Sequence, residues 1–108
     1  MDDQVKTLID EMVNTQKVFL FMKGTPTNPQ CGFTERVVDI LNRLEVKFGS
    51  FNILIDDKIR QGVKEYSNWP TLPQLYINGK FIGGCDIVIA LYEKGQLQKL
   101  LSEIIAEK

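Results

Sequence analysis

An α/β fold is predicted for this chain: a four-stranded mixed sheet with helices on both faces. Three observations carry the prediction. Stretches with apolar residues at helical spacing alternate with short apolar runs, which is the rhythm of strands connected by helices. The run Val18 to Met22 is wholly apolar, as expected of a strand covered on both faces. Asn78-Gly79 stands between two further runs, and that dipeptide is a strong local signal for a β-hairpin.

Taken in order, Val5, Leu8, Ile9, Met12 and Val13 follow Asp2 and Asp3, so residues 3 to 15 read as an amphipathic helix with an acidic cap. Val18 to Met22 is the first strand. The segment Lys23 to Gln30 carries two prolines and an asparagine and reads as a loop. Val37, Val38, Ile40, Leu41 and Leu44 mark a second helix that begins just after Cys31 and ends before Lys47. Phe48 to Leu54 reads as the second strand. Asp56-Asp57 opens a third helix with Ile59, Val63 and Tyr66 on one side, weakened by Gly62 and ending before Pro70. Gln74 to Ile77 and Lys80 to Ile82 form the hairpin around Asn78-Gly79. After Gly83-Gly84, helices are expected at about 85 to 93 and 96 to 106, separated by Gly95. This order implies two parallel strands joined by a crossover helix, then an antiparallel pair, which is the arrangement of a thioredoxin-like fold.

Composition narrows the function. At 108 residues, 44% hydrophobic and 25% charged, residues 1–108 fit a single domain with one core. A net charge of -1 with scattered Lys and Arg gives no basic stripe for nucleic acid. No apolar run approaches the roughly 18 residues of a membrane span, so no membrane partner is expected. The start, Met1-Asp2-Asp3, is acidic where targeting peptides are basic; the expected location is cytoplasmic, with mitochondria or another organelle left open if a presequence was removed. Histidine is absent, which removes Cys-His dyads, Ser-His-Asp triads and imidazole ligands together. Two cysteines are too few for a disulfide framework, so interest falls on sulfur itself.

Cys31-Gly32-Phe33-Thr34 is the most informative stretch. Its thiol stands at the start of a helix, where unpaired amides and the helix dipole favour the thiolate, and Lys23 adds charge if the loop folds back. Three residues on, where a dithiol site keeps its second sulfur, stands Thr34. Such a thiolate can exchange with an external thiol or give one bond to a metal cluster.

The series Lys23-Gly24-Thr25-Pro26, Cys31-Gly32-Phe33-Thr34, Trp69-Pro70-Thr71-Leu72-Pro73-Gln74 and Gly83-Gly84-Cys85-Asp86 resembles the monothiol glutaredoxins in order and spacing, over nearly the whole chain. One departure is Thr34, where the family's usual motif ends in serine. The resemblance implies glutathione as ligand, with Cys31 as the reactive thiol. Lys23 and Arg60 are placed by it to meet the glycine-end carboxylate, although each also reads as a solvated surface cation. Leu72 would pair its backbone with the cysteinyl part of glutathione if Pro73 is cis. The amides of Cys85 and Asp86, after Gly84, would hold the γ-glutamyl carboxylate, with the Asp86 side chain on the ammonium. Phe33 and Trp69 would flank the groove. Cys85 is either inert packing or a disulfide partner of Cys31 under oxidation.

A 2Fe-2S cluster typically takes four thiolates, and one protomer cannot complete that set from its single motif cysteine. The resemblance therefore implies a cluster shared between two protomers, ligated by two Cys31 thiolates and two glutathiones. The chain would be a homodimer when cluster-bound and a monomer when apo. It would pass the cluster to apo iron-sulfur acceptor proteins and also bind a BolA-like protein, serving iron-sulfur cluster biogenesis and iron homeostasis. The alternative is a glutathione-dependent thiol-disulfide oxidoreductase that deglutathionylates proteins, slowed by the extended loop Thr25 to Gln30. A third reading is a redox-silent adaptor.

Overall fold

The computed structural model describes residues 1–106; the last two residues of the expected domain, 107 and 108, lie outside it. The element order is α1 (Asp3–Val13), β1 (Val18–Met22), β2 (Gly24–Thr25), β3 (Asn28–Pro29), α2 (Gly32–Arg43), β4 (Gly49–Asn52), a 3-10 turn (Ile53–Ile55), α3 (Asp57–Ser67), β5 (Gln74–Ile77), β6 (Lys80–Gly83), α4 (Cys85–Glu93) and α5 (Gln96–Ala106). The main sheet has the order β4-β1-β5-β6. β1 and β4 are parallel, joined through α2, whereas β5 runs antiparallel to both β1 and β6. The expected mixed, four-stranded sheet is present.

Side-chain alternation divides the core in two. Leu20 and Met22 of β1 pack with Leu75 and Ile77 of β5 against Val37, Leu41, Val88 and Leu97, the inner faces of α2, α4 and α5. Phe19, Phe21 and Tyr76 point the other way, against Ile9, Val13, Ile59 and Val63 of α1 and α3. Every residue of β1 is buried, as a strand sandwiched between helix layers requires. Asn78 and Gly79 both hold positive φ, as the tight turn demands.

Two stretches differ from expectation. Phe48 to Leu54 reads as one strand, but β4 stops at Asn52 and the chain turns into the 3-10 segment. The cause is local: the Asn52 side chain accepts a hydrogen bond from the Leu54 amide at 3.0 Å, an Asx cap that competes with the ladder. The loop 23–30 folds into a two-stranded ribbon, Gly24 opposite Pro29 and Thr25 opposite Asn28.

Gly62 is a packing requirement rather than a weak point of α3. A Cβ there would lie 2.5 Å from Cγ1 of Val5 and 3.1 Å from Cδ1 of Ile9, so α1 and α3 approach at this glycine. Overpacking of this kind costs roughly 1–3 kcal/mol, against about 1 kcal/mol gained in helix propensity. Gly62→Ala is therefore expected to destabilise the protein by up to about 2 kcal/mol in urea unfolding.

Candidate functional site

Cys31 is the N-cap of α2, in extended conformation, and its side chain is half-buried. The approach to it is pinned. The Lys23 amide donates to the Thr34 hydroxyl at 3.4 Å, and the Gly24 amide donates to Asn52 Oδ1 at 2.9 Å. Gly24 has a φ of +93°, and a Cβ there would lie 2.5 Å from the Asn28 carbonyl oxygen; only glycine fits. Gln30 closes the ribbon by donating its amide to the Lys23 carbonyl at 2.9 Å.

The Cys31 thiol titrates below the ordinary thiol range. The backbone amide of Thr34 contributes most, opposed by partial burial, with the Phe33 amide, the Lys23 charge and the Thr34 hydroxyl adding to the stabilisation of the anion. These are the first amides of α2, and a thiolate at a helix N-terminus is favoured by both their hydrogens and the dipole. Because the folded-state value is depressed, ionisation stabilises the fold above the ordinary thiol range, and this contribution is lost as pH falls through the folded value. Cys85 behaves in the opposite way: it is 9% exposed, and burial, followed by the Asp86 charge, pushes its thiol up. The two thiols are thus shifted in opposite directions, Cys31 towards the anion and Cys85 away from it.

Thr34 is fully buried, so its extra methyl group does not face the surface beside the thiol. Thr34→Ser is expected to leave the pH inflection of Cys31 alkylation unchanged. Thr34→Val removes the hydroxyl from the sulfur and from the Lys23 amide, so the inflection moves up and about 1 kcal/mol of stability is lost. Iodoacetamide labelling across pH and urea unfolding measure the two effects.

A groove of about 360 Å³ lies near this thiol, lined by residues of α3, the start of α2, the start of α4 and the loop before β5. Lys23, Phe33, Arg60, Leu72, Gly84, Cys85 and Asp86 line it, as does Trp69. Cys31 is not among the lining residues; it adjoins the groove through Phe33, two positions on, and is electrostatically coupled to the lining residues Lys23 and Cys85. Pro73 is not among the lining residues; the Leu72-Pro73 peptide is cis, and the Pro73 carbonyl stands 3.4 Å from where a Cβ on Gly84 would be. Lys64 and Thr71 also line the groove and were not expected. Lys64 lies one helical turn beyond Arg60, a spacing that places both side chains on one face and that could have revealed it.

Charge is arranged asymmetrically. Lys23, Arg60 and Lys64 come from the β1 end and from α3, on one side of the sheet, while Asp86 and the first amides of α4 come from the other. None of the three cations forms an ion pair with a described residue. Arg60 Nε is buried and has no hydrogen-bond partner among the described residues, which is costly unless a ligand supplies one. The groove thus offers donors and positive charge at one end and an anion with free amides at the other. That suits a small zwitterionic molecule with two carboxylates. For a metal cluster the chain offers one accessible, ionisable thiolate, Cys31. No three His, Cys, Asp or Glu side chains converge among the described residues.

An α/β sheet of this topology, with an activated thiol at a helix start beside a polar-ended groove, defines a thioredoxin-like thiol protein. The chain belongs to the glutaredoxin family, among its monothiol members. The glutaredoxin family model matches residues 18–82. An uncharacterized monothiol glutaredoxin of Synechocystis sp. is 53% identical over 106 residues, covering 98% of this chain and 99% of that one. The chain spans only 21% of the longer monothiol glutaredoxin-S11 of Oryza sativa, at 52% identity over 102 residues. Among solved structures, reduced poplar apo GrxS14 aligns with a TM-score of 0.82 at 52% identity, covering 94% of each chain. A buckwheat glutaredoxin-glutathione complex aligns at 0.81 with 26% identity, covering 95% of this chain and 94% of that one.

No helix among the described residues is long and apolar enough to cross a membrane.

Proposed function

We propose that the chain carries a 2Fe-2S cluster as cargo, held between two copies by two Cys31 thiolates and two glutathione molecules, and hands it to apo acceptor proteins. The observation that carries this reading is the contrast between the two thiols: Cys31 is favoured as an anion at the groove, whereas Cys85 is buried and disfavoured. A protomer that presents one thiolate supplies one ligand, and a cluster needs about four. Two protomers and two small thiols complete the set.

Glutathione fits the groove end for end. Arg60, with Lys23 and Lys64, meets the glycine-end carboxylate, and the orphaned Arg60 Nε gains an acceptor. The Leu72 backbone pairs with the central cysteinyl residue. The amides of Cys85 and Asp86 bind the γ-glutamyl carboxylate, and the Asp86 carboxylate takes the ammonium. That a buckwheat relative was solved with glutathione supports glutathione as the ligand. The cluster supplies an acceptor with sulfur and iron, and because half of its ligands are diffusible, release needs no unfolding of the carrier. A BolA-like partner would substitute for one protomer at the same surface.

The test is anaerobic reconstitution with iron and sulfide. A visible absorption band together with a shift from monomer to dimer on sizing, both dependent on added glutathione, is the expected result. The competing reading is protein deglutathionylation: the Cys31 thiolate attacks the glutathionyl sulfur, the protein leaves as its thiolate, and a second glutathione thiolate resolves the mixed disulfide to oxidised glutathione. Brisk turnover without any cluster uptake would favour that reading. The extended loop Thr25 to Gln30, whose ribbon is tied to Asn52 through the Gly24 amide, supports slow turnover by misplacing the second glutathione.

A further inference from the structure

Gln74 is a polar side chain with no exposed surface, on β5 opposite Phe21 and facing the α1 and α3 side of the sheet with Tyr76. Its Nε2 donates to the carbonyl of Trp69 at 3.2 Å and to that of Thr71 at 3.3 Å. Its Oε1 accepts from the Tyr76 hydroxyl at 3.1 Å. The amide is thus used in one orientation, with nitrogen towards two acceptors and oxygen towards one donor. Burial pushes the Tyr76 phenol well above its ordinary value, so it remains a donor at any working pH.

The two bonds have different consequences for the groove. A trans peptide is planar and sets its N–H opposite its C=O, and in this loop only the Leu72-Pro73 bond is cis. With the Thr71 carbonyl drawn inward to Gln74, the Leu72 N–H is turned outward, on the side where Leu72 and Thr71 line the groove. The Trp69 carbonyl, by contrast, belongs to the peptide with Pro70, which has no N–H to present; that bond only seats the loop. The rings of Trp69, Phe81 and Tyr76 pack in sequence in tilted contacts, with centroids 5.9 and 5.6 Å apart.

We propose that Gln74, held by Tyr76, is a positioning residue for ligand binding: it locks the Thr71-Leu72 peptide plane so that the Leu72 amide donates into the groove. Gln74 itself touches no ligand. The inference rests on the reading of the groove as a glutathione site.

The experiment is calorimetric titration of reduced glutathione into the full chain and into Gln74→Met and Tyr76→Phe, with iodoacetamide labelling of Cys31 across pH run in parallel. Gln74→Met keeps the side-chain length and removes all three bonds, so glutathione binding is expected to weaken on the order of tenfold, the worth of one well-placed hydrogen bond. Tyr76→Phe loosens the lock without removing it, and a loss of about threefold is expected. The Cys31 inflection depends on Thr34, Phe33 and Lys23 and stays in place in both variants, which a general loosening of the site would not allow. Unchanged affinity in Gln74→Met overturns the inference, as does a loss of affinity accompanied by a shifted Cys31 inflection. If Gln74→Met fails to fold, Tyr76→Phe decides, and unchanged affinity there overturns it. A parent chain that does not bind glutathione overturns the groove assignment and this inference together, whereas parent binding with an unaffected Gln74→Met overturns this inference alone.

Discussion

Cys31→Ser is expected to abolish both cluster retention and glutathione exchange while changing unfolding free energy by no more than about 1 kcal/mol. A serine hydroxyl does not ionise in the working range and is a poor ligand for iron in a sulfur-bound cluster. Cys85 cannot take over, because burial and the Asp86 charge keep its thiol neutral. Absorbance and sizing after reconstitution, with urea unfolding as control, measure the outcome. A serine variant that still colours and dimerises would show that the ligand is elsewhere. In the parent chain, alkylation of Cys31 rises with pH through an inflection below the ordinary thiol range, and Cys85 labels only at higher pH, the two cysteines separating in opposite directions.

Arg60→Met should weaken glutathione binding by roughly 10- to 150-fold, because a hydrogen bond to a charged group contributes about 1.5–3 kcal/mol. Methionine preserves the apolar stem and much of the volume, so the loss reports the guanidinium rather than packing. In the free protein this substitution also removes the buried, unpartnered Nε, so stability is expected to stay level or rise slightly. Lower affinity combined with undiminished stability is the signature of a group kept for a ligand. Added salt narrows the gap between parent and variant, since the groove is open to solvent and its charges are screened. Equal affinity in the variant would assign the carboxylate to Lys23 and Lys64 instead.

Much of the fold was legible because its strongest determinants are local. The wholly apolar Val18 to Met22 is the buried central strand, and Asn78-Gly79 closes its hairpin through two positive φ angles. What escaped was decided by side chains answering distant backbone. Ile53, Leu54 and Ile55 have the apolarity of a strand, but Asn52 draws the Leu54 amide into a cap and also holds the Gly24 amide, 28 positions away. Ile55 is left 73% exposed, which no strand pattern predicts. The 24–29 ribbon was masked by its prolines. In the site, Lys23, Phe33, Arg60, Leu72, Gly84, Cys85 and Asp86 line one groove, and Cys31 and Pro73 do not; Lys64 belongs to no motif, and Thr71 stands inside one without a side-chain role that the pattern announces. Gln74 sits inside a motif, yet its role depends on which way two carbonyls point, and pattern alone does not encode that.

Trp69 is the sole tryptophan of the chain. Its indole nitrogen lies 3.0 Å from where a Cβ on Gly84 would stand, in the wall of the groove. Indole emission follows the polarity and quenching of its immediate surroundings, so the protein contains a built-in fluorescent gauge of occupancy. With excitation beyond the absorption of the three tyrosines, titrations can be followed without a dye or a tag, because no second indole contributes.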